Sequence, residues 1–407
     1  MGERGVTRRQ VLAAGAAGVI VPPAGATGTL AASPLERAFL SPPAPADRTL
    51  VGAIRWDAWH TPRAGTAHGG EGGPVRAMER SLGPARYHRR LPFFARVVSQ
   101  SEVSIGGYTQ AIVDREIAFA RAGGLDHWAF LLYEPGDVMS QGLELYLSSR
   151  RRRDMPFCVI AQANTFGQAD RFRERMQRVV QLISEPGYVT VADGRPLLYL
   201  FDLSDGWLAA WGGREGARRL FYDLRAAVRA TGKPDPYMVV LDFSAERGAS
   251  VAAAIGADAI SSYAMPGDGG VGGKPFAALR QAARDFWDAC AATGMQVVPI
   301  AMAGWDRRPR VEHPVPWETW QRPGEGMDRF FELPTPAELA AHIEEAIVWT
   351  RERPAISPAR TVLVYAWNEH DEGGWLRPTL GQDGRPDTSR LDALRAMRRG
   401  LERSGNR

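Results

Sequence analysis

Short, continuously apolar stretches recur along the chain from Thr49 onward, and longer stretches of mixed polarity separate them. A strand that is buried on both faces of a parallel sheet needs apolar, often β-branched residues at every position. Eight stretches have this character, at residues 50–55, 128–133, 156–161, 197–201, 237–241, 257–261, 296–301 and 361–366. We therefore predict eight buried, parallel strands.

The intervening segments place apolar residues three and four positions apart, which puts them on one face of a helix. This pattern is clearest at residues 170–184, 214–231, 275–292, 336–350 and 389–402. Strands that alternate with amphipathic helices indicate a parallel sheet with crossover helices. Eight such units predict an α/β protein built as a single (β/α)8 TIM barrel, and an open doubly wound sheet is the alternative.

Two long insertions interrupt this alternation, at about residues 57–106 after the first strand and 306–334 after the seventh strand. Long loops at the carboxyl ends of barrel strands are where enzymes of this architecture build their sites. The glycine-rich stretches 69–73 and 267–273 lack the G-x-G-x-x-G turn between a strand and a helix, so they give little support to dinucleotide binding.

The composition excludes several classes of protein. Of 407 residues, 44% are hydrophobic and 24% are charged, as in ordinary globular chains. The 50 basic residues mostly alternate with the 46 acidic ones and form no basic face with interleaved aromatics, which argues against nucleic-acid binding. Cys158 and Cys290 lie in apolar surroundings, and no Cys/His cluster has zinc-ligand spacing. We predict that no metal and no organic cofactor is required.

The N-terminal segment has the features of an export signal in the expected order. The twin arginines Arg8 and Arg9 precede an apolar stretch at 13–21 that is too short to span a bilayer, and Ala-Gly-Ala at 24–26 fits a cleavage site. We predict export through the twin-arginine (Tat) machinery to the periplasm or the exterior, without a stable membrane span. A disordered Ala/Gly-rich terminus is the alternative. The predicted signal peptide, linker and catalytic domain occupy residues 1–32, 33–47 and 48–405.

Polar and aromatic side chains follow the predicted carboxyl end of nearly every strand. In a closed barrel these ends share one face, so we expect the side chains to meet in one cleft. Aromatic rings stack on the C–H face of a sugar, and carboxylates and amides bind its hydroxyl groups, although each residue alone could simply pack or cap a helix. The candidate substrate-binding residues are Trp56, Asp57, Tyr133, Glu134, Gln162, Asn164, Asp202, Asp242, Tyr263, Trp305, Asp306, Trp367, Asn368 and His370.

The strongest signal lies at residues 365–379, where Glu369, His370, Asp371 and Glu372 directly follow an apolar strand. Crowded carboxylates repel one another and cost stability, which favours a functional reason for their presence. Hydrolysis of a glycoside typically uses a proton donor and a second carboxylate, and mutual repulsion can separate their pKa values. We predict that Glu369 and Glu372 are catalytic, with a solvated acidic turn or a metal site as the alternative.

The same segment resembles the W-N-E-W-x-E-G motif of the family 99 glycoside hydrolases, which the related WbsX-like domains share. The G-W-D sequence at 304–306 with R-P-R at 308–310 is similar to their seventh-strand motif, and D-G-R-P-L at 193–197 resembles their approach to the fourth strand. The resemblance spans roughly residues 50–400. His370 stands where the family usually has Trp, and the third-strand A-Q-A-N only loosely resembles W-A-N-E.

The resemblance implies an endo-acting, retaining enzyme that cleaves α-mannosides in a poly- or oligosaccharide. Glu369 would then deprotonate the sugar 2-hydroxyl to give a 1,2-anhydro sugar, and Glu372 would be the general acid/base. The residues alone leave direct attack of a carboxylate on the anomeric carbon equally open. They are also compatible with a WbsX-like glycosyltransferase, a non-catalytic carbohydrate-binding barrel, and a phosphoesterase or metal hydrolase.

Overall fold

The eight apolar stretches form eight parallel strands. The computed structural model of the protein describes residues 48–62, 73–163, 171–265, 267 and 269–405, so the predicted signal peptide, the linker and Asn164 lie outside the described residues. The strands are β1 Leu50–Arg55, β2 His127–Leu132, β3 Phe157–Gln162, β4 Arg195–Phe201, β5 Tyr237–Leu241, β6 Ala259–Ser261, β7a Gln296–Val297, β7b Ile300–Met302 and β8 Thr361–Tyr365.

The strands close into a barrel. Each of β1 to β6 pairs in parallel with the next, and β8 returns to pair with β1. The seventh strand completes the ring in two parts, because β7a pairs with β6 and β7b pairs with β8. Pro299 lies between the two parts and has no N–H to donate, but its carbonyl oxygen accepts from the Leu363 N–H at 3.0 Å. The predicted (β/α)8 barrel is confirmed.

Helices surround the barrel, and the longer ones bury an apolar face against it. They are α1 Pro74–Leu82, α2 Gln110–Gly123, α3 Gln141–Ser148, α4 Phe172–Ser184, α5 Asp205–Ala210, α6 Gly213–Arg229, α7 Ala245–Ile255, α8 Phe276–Ala292, α9 Arg308–Glu312, α10 Pro336–Glu352 and α11 Ser389–Gly405. In α8, for example, Leu279, Ala283 and Trp287 are buried at the spacing that the sequence pattern indicates. None of the helices in the described ranges is long and apolar enough to cross a membrane.

The two long insertions contribute structure of their own at the carboxyl end of the barrel. The insertion after β1 holds α1, a 3-10 helix at Ala85–Arg90 and a small antiparallel ribbon in which Arg96–Val97 pairs with Val103–Ser104. The insertion after β7b holds α9 and a loop at 313–335, which we call the tryptophan loop because it carries two exposed tryptophans.

Candidate active site

A cavity of about 1020 Å³ opens at the carboxyl ends of the barrel strands. Strand ends and the loops after β1, β2, β5, β6, β7b and β8 line it, so the cavity lies where barrel enzymes carry their sites. Eight of the residues predicted from the sequence share its lining: Trp56, Tyr133, Glu134, Gln162, Tyr263, Trp305, Glu369 and Glu372.

The two candidate catalytic glutamates lie on a tight antiparallel turn after β8, in which Asn368–Glu369 pairs with Gly374–Trp375. We call residues 368–375 the acidic ribbon. Gly373 has a φ of +84°, a left-handed conformation that glycine adopts without steric cost. A Cβ at this position would lie 2.6 Å from the backbone nitrogen of Asp306, so only glycine fits where the ribbon passes the loop after β7b.

Arg310 of α9 joins the two glutamates through one buried guanidinium. Its Nη1 donates to Glu372 Oε1 at 2.6 Å, and its Nη2 donates to Glu369 Oε2 at 3.3 Å. Its Nε also donates to Asp371 Oδ2 at 2.5 Å, so three side chains of the acidic ribbon contact this one guanidinium. Because a guanidinium is planar and always charged, the contact fixes both carboxyl groups and supplies a positive charge between them.

Each glutamate also accepts a hydrogen bond from a tyrosine. Tyr263 Oη donates to Glu369 Oε1 at 3.2 Å, and Tyr365 Oη donates to Glu372 Oε2. Glu372 has one more charged partner, since Arg307 Nε donates to its Oε1 at 3.0 Å. The two carboxyl groups therefore occupy unequal electrostatic environments.

This inequality separates the pKa values of the two groups. Burial raises the pKa of Glu369 well above its ordinary value, and the neighbouring Glu372 raises it further against the opposing effect of Arg310. Burial also raises the pKa of Glu372, but Arg310 and Arg307 outweigh it and lower the pKa below its ordinary value. A pair with one protonated and one ionised carboxyl group is what acid/base chemistry on a glycoside requires.

Aromatic side chains form much of the cavity wall. Trp56 Nε1 donates to Tyr133 Oη at 2.8 Å, which orients both rings. Tyr263 stacks on Phe201 with ring centroids 4.8 Å apart. Together with Trp305, these rings offer flat apolar faces beside hydrogen-bonding groups, a combination that suits a sugar ring.

Three residues that the sequence predicts to bind substrate lie next to the cavity but do not line it. Asp57 is buried and its carboxylate accepts from Arg55 Nε at 3.0 Å. The Asn368 side chain pairs with the backbone of Trp56, accepting from its N–H at 2.9 Å and donating to its carbonyl oxygen at 2.6 Å. Asp306 is fully buried and binds the guanidinium groups of Arg90 and Arg308. None of the three lines the cavity, and their hydrogen bonds hold the loops that form it.

Trp367 and His370 are also packed away from the cavity lining. The Trp367 ring packs against Trp128, with centroids 5.3 Å apart, and both rings are buried. Arg377 Nε donates to His370 Nε2 at 2.9 Å, so the ring is neutral and its Nδ1–H donates to a backbone carbonyl. Burial and the nearby Arg377 lower the pKa of His370 well below its ordinary value. Where the resembling family has Trp, this chain therefore has a buried, neutral hydrogen-bonding residue.

Asp202 and Asp242 are the remaining predicted residues, and neither lines the cavity. Asp202 is exposed, with a positive φ of +58° at the end of β4. Asp242 accepts from the Ser244 backbone N–H at 2.9 Å and binds the Arg247 side chain, so it organises the start of α7. The sequence left a capping role open for both aspartates, but Ser204 and Ser244 are the residues that cap the following helices.

Sequence reasoning did not select several residues that line or contact the site, namely Phe201, Phe243, Arg307, Arg310, Trp317, Glu318 and Tyr365. Arg310 belongs to the motif at 308–310, but nothing in one sequence shows that it reaches the acidic ribbon 59 positions away. Glu318 binds Arg310 Nη1 at 3.1 Å from within the tryptophan loop, where no periodic pattern gives its orientation.

No family model matches the sequence, and no curated protein matches it. Solved structures do match. The family 99 endo-α-mannosidase from Bacteroides thetaiotaomicron, in complex with bis-tris-propane, has a TM-score of 0.51 and 14% identity over 88% of this chain and 98% of that chain. A second structure of that enzyme has a TM-score of 0.51 and 13% identity, with the same coverage. The protein thus has a barrel fold similar to that of a family 99 glycoside hydrolase.

Proposed function

We propose that the protein is a glycoside hydrolase in which Glu369 and Glu372 carry out catalysis. The observation that supports this most is the pair of buried carboxyl groups, joined by Arg310 and shifted in opposite directions in pKa, inside an aromatic cleft. Glycosidases use two carboxyl groups in this way, one as an acid and one as a base or nucleophile. The similarity of the fold to a family 99 enzyme supports the proposal.

The chemistry would proceed with retention of configuration. The ionised carboxylate takes the proton of the sugar 2-hydroxyl while that oxygen attacks the anomeric carbon, and the leaving oxygen takes the proton of the other carboxyl group. Water then attacks the anomeric carbon and opens the resulting 1,2-anhydro sugar. It gives a proton to the group that acted as the acid, while the carboxyl group that took the 2-hydroxyl proton returns it to that oxygen. Direct attack of the carboxylate on the anomeric carbon is the second route that two such groups allow.

The contacts of the two glutamates favour a definite division of roles. Glu369 has the raised pKa and holds the proton, whereas two arginines keep Glu372 ionised. On these grounds we assign Glu369 as the proton donor and Glu372 as the base or nucleophile. The family resemblance implies the opposite division, with Glu372 as the general acid.

The dependence of each variant on the leaving group separates the two divisions. A variant without its general acid still cleaves glycosides whose leaving group needs no protonation, such as glycosyl fluorides, whereas a variant without its base or nucleophile does not. We expect Glu369→Gln to retain turnover of the fluoride and Glu372→Gln to lose it. Fluoride turnover that is kept in Glu372→Gln and lost in Glu369→Gln would instead support Glu372 as the general acid, as the family resemblance implies.

The substrate class is tested by incubating the purified protein with α-mannans, α-glucans and bacterial exopolysaccharides and measuring released reducing ends. Release from one of them is the expected result. Transfer from a UDP- or GDP-sugar without hydrolysis would favour a glycosyltransferase, and loss of activity on adding a chelator would favour a metal hydrolase. Glycan binding without release would indicate a carbohydrate-binding barrel.

A further inference from the structure

The tryptophan loop exposes two large aromatic side chains beside the cleft. Among the described residues, Trp317 and Trp320 are the tryptophans whose side chains are largely exposed, at 42% and 67%. Neither packs into the core, so their burial does not stabilise the fold in the way that most tryptophans do. An exposed aromatic group that adjoins a cleft is typical of a binding surface.

Both side chains are continuous with the candidate active site. Trp317 lines the cavity, and its ring lies edge-on to Trp56 with centroids 5.6 Å apart. The Trp320 ring lies 5.3 Å from the guanidinium of Arg307, which is also 5.8 Å from the Trp305 ring inside the cleft. The aromatic surface therefore runs from the cleft to the outside of the tryptophan loop.

The tryptophan loop is held in place by the same charges that hold the catalytic glutamates. Glu318, between the two tryptophans, binds both Arg307 and Arg310. These arginines in turn contact Glu372. The position of the loop is thereby fixed relative to the reacting groups, which a binding surface for the same substrate requires.

The charges in the cleft restrict the kind of glycan that fits. Among the described lining residues there are five carboxyl groups, on Glu134, Asp137, Glu318, Glu369 and Glu372, and two guanidinium groups, on Arg175 and Arg310. Both guanidinium groups already contact carboxylates of the protein. Even with Glu369 protonated and Arg307 counted beside them, these described residues carry four carboxylates against three guanidinium groups, so a uronate or sulfated sugar would meet repulsion.

We infer that Trp317 and Trp320 bind an uncharged polysaccharide chain that continues beyond the bond cleaved between Glu369 and Glu372. This rests on the proposed function for the identity of the cleft. The apolar faces of successive sugars stack on the two rings, and the acidic lining rejects anionic chains.

The inference is tested by calorimetric titration at 0.15 M NaCl, which screens non-specific attraction. All variants carry Glu372→Gln so that the glycan is not consumed. The probes are dextran, soluble starch and dephosphorylated yeast α-mannan, with alginate as the polyuronate. We expect binding to at least one uncharged polymer, about tenfold weaker for Trp320→Ala and Trp317→Ala, since tryptophan contacts often carry this much binding energy.

The matched control is Tyr222→Ala on α6, because Tyr222 is an aromatic residue that is 65% exposed and absent from the cavity lining. It should bind within twofold of its parent. Equal binding by Trp320→Ala and the parent, alginate binding as tight as that of the uncharged polymers, or no binding to any uncharged polymer would overturn the inference. If Trp320→Ala weakens binding but the wild-type protein releases no reducing ends from the bound polymer, the proposed function fails while the binding surface stands.

Discussion

At the scale of single residues, Arg310 decides how protons are distributed in the cleft. It lies between Glu369 and Glu372 and lowers the pKa of both, but only at Glu372, where Arg307 adds its charge, does this outweigh the effect of burial. Free-enzyme activity should therefore be bell-shaped in pH. The acid limb follows protonation of Glu372 below its ordinary pKa, and the alkaline limb follows deprotonation of Glu369 above its ordinary pKa.

Replacing Arg310 by Lys should weaken this arrangement. A lysine carries the charge but cannot bridge two carboxyl groups through a planar fork, so Glu372 loses part of its stabilisation as an anion. We expect kcat/KM to fall about tenfold or more and its acid limb to move to higher pH, as measured in a pH–rate profile. The control is Arg308→Lys, which alters the contact with Asp306 outside the cavity. An acid limb that does not move in Arg310→Lys would contradict the role given to this residue.

Residue types at the strand ends could be predicted, but their partners could not. Trp56 and Tyr133 were expected in the cleft because each follows a strand whose end faces it. Asp57 was also expected there, yet it is held in a buried ion pair with Arg55, whose own position is fixed by Glu116 of the distant helix α2. Local sequence gives the position of a side chain relative to its own strand. Whether that side chain reaches the cleft or is neutralised by a partner depends on contacts between segments that are distant in the sequence.

At the scale of elements, the strands were predictable because burial on both faces demands apolar residues at every position. Helix α2 was not among the predicted helices, and its buried face explains why. Glu116 lies fully buried on that face, where it pairs with Arg55 and Arg377, so a charged residue interrupts the apolar stripe. Helix α7 is rich in Ala and Gly, which gives a weak periodic signal.

The start of α10 offers a test of local stability. Thr335 accepts from the Glu338 backbone N–H at 3.2 Å, and the Glu338 carboxylate accepts from the Thr335 N–H at 2.9 Å, which together form a capping box. Thr335→Ala removes the first bond and should lower the free energy of unfolding by about 1 kcal/mol in denaturant titrations. Thr335→Ser keeps the hydroxyl and should stay close to wild type. Equal losses in both variants would show that the cap contributes nothing.

At the scale of the whole molecule, buried neutral histidines should make stability depend on pH. Burial lowers the pKa of His127 from 6.5 to about 4, and His342 and His370 are buried with lowered pKa values as well. In such cases the unfolded chain binds protons that the folded chain does not. The stability that these neutral histidines contribute is therefore fully present above pH 6.5 and is lost as the pH falls toward 4.

The contribution of His127 can be measured separately. A shift from 6.5 to about 4 corresponds to about 3 kcal/mol between pH 7 and pH 4. We expect the unfolding free energy of His127→Met to decline less steeply over this range than that of wild type, with a difference of that order. Parallel declines in the two proteins would mean that His127 takes up no proton on unfolding.

The export of the molecule remains a proposal, since residues 1–47 lie outside the described residues. The twin arginines Arg8 and Arg9 motivate it. We expect the wild-type chain to reach the periplasm of a bacterium with a functional twin-arginine system and the double variant Arg8→Lys, Arg9→Lys to stay in the cytoplasm. Cell fractionation and immunoblotting measure this, and equal export of both chains would contradict the twin-arginine route.

Cleavage of glycosidic bonds by the buried carboxyl pair is tested by the rate at which reducing ends are released from one polysaccharide. We expect the wild-type protein to release reducing ends and Glu369→Gln and Glu372→Gln each to lose about 100-fold or more in turnover on that natural substrate. Circular dichroism and thermal unfolding confirm that the variants are folded. A folded Glu372→Gln variant that works within threefold of wild type would contradict the claim.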